Sequence, residues 1–87
     1  MANTNQFPNG FQSWTEAHYE VTAAITRAVE SGNYGKAIAE TIETEGFVGL
    51  RDLAVDLANE FERENEGREW DGNFLESIWD FMGEKLA

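Results

Sequence analysis

Gly32, Gly46 and Gly67 cut the chain into segments whose apolar residues recur at helical spacing, and no segment alternates strictly enough to compete as a strand. That pattern predicts an all-α fold, a small bundle of about four helices. In the first segment Ser13 followed by Glu16 forms a capping-box pattern, and Trp14, His18, Val21, Ile25 and Ala28 share one face. The spacing predicts a helix from Trp14 to about Glu30, closed by Gly32 in the left-handed conformation. Asn33 then caps a short helix carrying Tyr34, Ala37, Ile38 and Ile42. With Gly46 as the residue after its cap, Phe47 and Ile42 fall where a Schellman ending makes its hydrophobic contact.

The third helix is expected from Val48 or Gly49 to about Asn65, with Leu50, Leu53, Ala54, Leu57 and Phe61 facing inward and Gly67 as its stop. In the fourth segment Asp71 is the expected N-cap, which makes Trp70 and Leu75 the two halves of a hydrophobic staple. Phe74, Leu75, Ile78, Trp79, Phe81, Met82 and Leu86 then span an arc of roughly 160° on a helical wheel. Trp14, Trp70 and Trp79 are all expected to be largely buried. So broad an arc on a terminal helix can exceed what one bundle covers, and the surplus would form the seam of a homodimer.

The 87 residues suffice for one hydrophobic core. The expected organisation is a flexible arm over residues 1–12, with a turn at Phe7-Pro8-Asn9-Gly10, and a single helical domain over 13–87. The start MANTNQFPNGFQ lacks the basic and apolar regions of a secretory signal, and no apolar run approaches the ~18 residues of a membrane span. Cysteine is absent, so there is no disulfide framework, no thiolate metal site and no cysteine nucleophile. An intracellular, cytoplasmic setting is expected on this ground.

Apolar residues make up 41% and aromatics 13% of the chain, so its acidity decorates a folded body. A formal net charge of -11 repels nucleic-acid phosphates and anionic membranes. Neither direct nucleic-acid binding nor membrane binding is expected. The field favours a basic protein surface, above all that of a nucleic-acid-binding protein.

The stretch EFERENEGREWDG invites a metal reading, because Glu62, Glu64, Glu66 and Gly67 occupy the first, third, fifth and sixth positions of a calcium loop. Asn73 then stands where a bidentate Glu is required, and Glu62 where Asp is preferred. An acidic helix end followed by a stop is the better account. His18 lies on the apolar stripe of the first helix and reads as a core or boundary residue. Ser13 and Ser31 are explained by a cap and a helix end, and with Ser77 they complete the serines. No catalytic constellation, cofactor site or metal site is expected.

Asp52, Asp56, Glu60 and Glu64 follow one another four residues apart, and Glu76, Asp80 and Glu84 do the same on the next helix. Both rows lie opposite the apolar stripes. Like charges at this spacing cost roughly 0.2–0.5 kcal/mol per pair, and Arg63 is the cation expected to relieve them. Repulsion within the rows is expected to raise their pKa values on folding. From Asp52 to Glu84 there are eleven acids and two bases, against six and three in residues 1–51. Rungs about 6 Å apart have a repeat of the order of phosphate spacing along a nucleic-acid strand. These seven residues are the candidate partner-binding site; the alternative is a merely solubilising surface.

The closing pattern Glu69-Trp70-Asp71-Gly72, then Phe74-Leu75-Glu76, on a short acidic helical chain, resembles the small accessory proteins of phages and conjugative elements, among them DNA-mimicking antirestriction and anti-CRISPR proteins. The resemblance implies inhibition by occupying a host protein's nucleic-acid site, and carries over no site residue. The expected function is therefore that of a non-enzymatic inhibitor that blocks a basic partner. The rival is a small homo-oligomeric structural or regulatory subunit that uses its exposed aromatic helix face.

Overall fold

A computed structural model describes residues 13–32, 34–68, 70 and 73–87. It contains α1 (Trp14–Ser31), α2 (Lys36–Glu45), α3 (Gly49–Glu64) and α4 (Phe74–Lys85), and no strand among the described residues. The all-α expectation holds. The arm over 1–12 lies outside the described residues, as do Asn33 and Asp71 themselves; α2 begins at Lys36 with Gly35 at its N-cap, so the cap expected at Asn33 is corrected and Tyr34 precedes the helix. Among those described, no helix is long and apolar enough to cross a membrane.

The helix ends follow from local chemistry. Ser13 Oγ accepts the Glu16 N–H at 3.4 Å, as the capping box requires. Gly32 takes the left-handed conformation (φ 74°, ψ 5°) and donates its N–H to the Val29 carbonyl. At the end of α2 the Schellman ending is not formed. Gly46 combines φ 77° with ψ -177°, a region open essentially to glycine alone, and its N–H bonds Ile42 O in a single closure. The elbow leaves no room for the longer motif, since the Gly49 N–H already bonds Gly46 O and α3 has begun. Phe47 consequently projects from the surface, 64% exposed.

α4 starts at Phe74 with Asn73 at its N-cap, later than an Asp71 cap implies. Trp70 is therefore not the staple residue. Its ring is fully buried, 5.0 Å from Phe74 and 6.0 Å from Phe61 between centroids, and aromatic packing fixes the entry to α4.

The bundle is built around α1. Trp14 meets Phe61 edge-on at one end of α1, while Ile25 and Leu50 line a common groove towards the other, so α3 runs antiparallel to α1. Trp14 also meets Phe74, and Glu20 meets Trp79 further along, so α4 runs parallel to α1. Ala17, Val21 and Ile25 of α1, Leu57, Ala58 and Phe61 of α3 and Phe74, Ile78 and Met82 of α4 form the core. The short α2 packs on α3 and contributes Ile38. Trp79 corrects the expectation of three buried tryptophans: it is 53% exposed. Phe74, Ile78, Phe81 and Met82 fill the seam, and Trp79 is left at its edge with Nε1 donating to Glu20 Oε1 at 3.4 Å.

Candidate functional site

The amphipathic faces of α3 and α4 decide where the acids go. With Leu57 and Phe61 turned inward, Asp52, Asp56 and Glu64 are exposed and Glu60 is half-buried; on α4, Glu76, Asp80 and Glu84 are exposed on the side away from Ile78, with Asp80 and Glu84 bordering Phe81. Phe61 and Phe81 then pack edge-on at 5.3 Å and draw the C-terminal half of α3 against α4. The result is a groove of about 350 Å³, floored by these two rings and rimmed by Glu64, Asp80 and Glu84, with Ser77, Asn65 and Arg68 completing it. Three rungs from the two rows thus converge on one cleft. Asp52, Asp56 and Glu76 do not line it; they extend the acidic surface along the outer faces of their helices.

Glu60 is engaged differently from its neighbours. Lys85, at the end of α4, brings Nζ to 2.7 Å from Glu60 Oε2. Hydrogen bonding from Lys85 lowers the Glu60 pKa, aided by the lysine's charge and opposed by partial desolvation. The same hydrogen bond raises the pKa of Lys85. The expected upward shift is therefore reversed at Glu60, chiefly by Lys85, with the charge of Arg63 giving a smaller part of the relief expected of it. Sequence reading passed over Lys85 because it stands just outside the acidic window. The signal was present: it lies four residues after Phe81, on the same face of the helix.

Lys85 Nζ also lies 5.5 Å from the centroid of the Phe81 ring, and Arg68 stacks 4.2 Å over Trp70 while Nη1 donates to Asn65 Oδ1. The seam thus already holds cations over aromatic faces, with a carboxylate or amide oxygen taking the charged end.

The calcium-loop positions Glu62 and Glu64 fall in the last turn of α3, where helical geometry prevents a ligand loop. No group of three or more His, Asp or Glu side chains among the described residues is placed to hold a metal ion. Ser13 caps α1, the Ser31 hydroxyl donates to Ala28 O, and Ser77 faces the acidic groove. His18 is a half-buried boundary residue at the mouth of a separate groove between α1 and α3. Comparison with protein-family models, curated proteins and solved structures finds no match to this chain.

Proposed function

We propose that the protein is a non-enzymatic inhibitor that occupies the basic, nucleic-acid-binding surface of a partner protein in the cytoplasm, as DNA mimics of the antirestriction and anti-CRISPR kind do. The convergence of Glu64, Asp80 and Glu84 on the α3–α4 groove supports this reading most directly. The apolar floor suits the stem of a partner's Lys or Arg, and the carboxylate rim suits its charged end. Asp52, Asp56, Glu60 and Glu76 carry the negative field outward from it, where it steers approach.

The positions of the acids divide them by what each offers the fold. Asp52 and Glu76 sit in the first turns of α3 and α4, where the helix dipole favours a carboxylate. Glu64 and Glu84 stand at the opposite ends, where it disfavours one. Two of the three rungs that rim the groove, Glu64 and Glu84, thus stand where the dipole opposes them, set against their attraction to Lys85.

The immobilised protein is expected to enrich nucleic-acid-binding proteins from a cell lysate at low salt, with capture lost at high salt and displaced by duplex DNA. A Glu64→Gln, Asp80→Asn, Glu84→Gln variant should lose the same proteins. Capture that ignores both DNA and the triple substitution would sink the reading.

A further inference from the structure

An antiparallel helix pair has two flanks, and α4 fills one flank of the α1–α3 pair. Ala24 and Arg27 of α1 line the seam with Trp79 and Met82. His18, Thr22 and Thr26 lie about half a turn round α1 from that seam, on the other flank. There no described residue covers the pair. A groove of about 430 Å³ runs between the helices, walled by Ile25, Leu50, Ala54 and Val55, with Arg51 and His18 as its charged or titratable groups. Among the described residues no carboxylate lines it, in a chain that has 17 acidic side chains. Its apolar apron is unusually open: Phe47, which lines the groove, is 64% exposed, the adjoining Val48 83%, and Val55 44%.

The outer face of α4 carries the complementary chemistry. Trp79 is the large exposed apolar side chain of that helix, and it is held against α1 by its bond to Glu20. Glu76 and Asp80, both exposed, lie together on one side of it, about 60° and 100° round the wheel. One turn further on, Gly83 faces open space and leaves room for a neighbouring backbone. Donor face and groove therefore match in shape and in sign: an aromatic anchor with carboxylates along one side, and an apolar trough beside Arg51 and His18.

We propose that the α4 face of one copy seats in the α1–α3 groove of a second copy, with Trp79 in the trough and Glu76 and Asp80 turned to Arg51 and His18. The incoming helix takes the vacant fourth position beside the pair. Because donor and acceptor are different surfaces of one molecule, the contact is head-to-tail and leaves each assembly with one unfilled groove and one unfilled Trp79. Net charge opposes the approach of two copies at a distance, so added salt strengthens this association. That sign is opposite to the one expected for capture of a basic partner.

Sedimentation of the full chain over a range of concentrations tests the assignment. At high salt the mass should climb past that of two protomers as concentration rises. Trp79→Ala and Val55→Glu should each stay monomeric while keeping a helical spectrum. An equimolar mixture of the two should form a one-to-one dimer and nothing larger, since one intact groove and one intact Trp79 remain between them. If Val55→Glu fails to fold, Thr22→Glu blocks the same groove from the α1 side and enters the same mixture. A parent that is monomeric throughout, as it would be if the groove served some other helix, overturns the proposal. So does a parent that stops at two protomers, or a mixture that forms no dimer.

Discussion

Lys85 Nζ stands 2.7 Å from Glu60 Oε2, so the last turn of α4 is tied to the acidic row of α3 by the cation that most nearly follows that row's partner in sequence. The tie has a pH signature. The folded-state pKa of Glu60 lies below its ordinary 4.5, so its contribution is present above that value and is lost as pH falls through the lowered one. Lys85 is raised above 10.5, so its contribution is present below that value and is lost as pH rises through the raised one. Thermal melts should show the parent more stable than Lys85→Met across the neutral range, with the difference closing at both extremes. A difference that stays constant down to strongly acid pH would show that the lysine stabilises by packing on Phe81 alone.

Two glycines should respond to alanine with opposite signs. A Cβ on Gly35 would run into the carbonyl oxygen of Leu86 and the backbone of Ala87, which cannot move aside as a side chain does. Gly35→Ala should cost about 1–3 kcal/mol, the usual penalty of overpacking. At Gly83, inside α4, a Cβ meets nothing, and Gly83→Ala should gain roughly 0.5–1 kcal/mol from the lower entropy of the unfolded chain. Denaturant titrations of the pair measure both; equal shifts of one sign would refute the close approach at Gly35.

The helices and most of their inward residues were legible in the sequence because period and punctuation agreed: Ser13 and Glu16 mark one end of α1 and Gly32 the other. Errors arose where tertiary packing overrode local grammar. The ring cluster around Phe61 took Trp70 away from the staple geometry, and Trp79 lost its burial because the seam against α1 is narrower than the apolar arc of α4. In the candidate site the exposure of the rungs could be read from the wheel. Their convergence could not, since it depends on Phe61 meeting Phe81 across two helices whose relative placement no spacing encodes.

The contrast between Ile78 and Trp79 can be tested directly. Ile78 is fully buried, and an aspartate there would place an unpaired charge in the core at a cost of several kcal/mol. With total stability of the order of 5–15 kcal/mol for a domain, Ile78→Asp should abolish or nearly abolish the helical spectrum. Trp79→Asp, one position on, should remain folded. A folded Ile78→Asp protein, or an unfolded Trp79→Asp one, would reverse the rotation of α4 given by the structure.

The acidic rows should separate by position within their helices. Glu76→Gln removes a carboxylate from the favourable end of α4 and should cost about 0.3–1 kcal/mol at low salt, partly offset by relief of its neighbour Asp80. Glu84→Gln removes one from the unfavourable end and relieves the same neighbour, offset in part by the lost attraction to Lys85, so it should stabilise by a few tenths of a kcal/mol at most. Both effects should shrink as salt is added. If capture of the basic partner falls with Glu84→Gln while stability rises, the rung is retained against the interest of the fold, as expected of a surface kept for binding. Stability that falls with Glu84→Gln would give that carboxylate a structural role and remove the reason for reading the groove rim as functional.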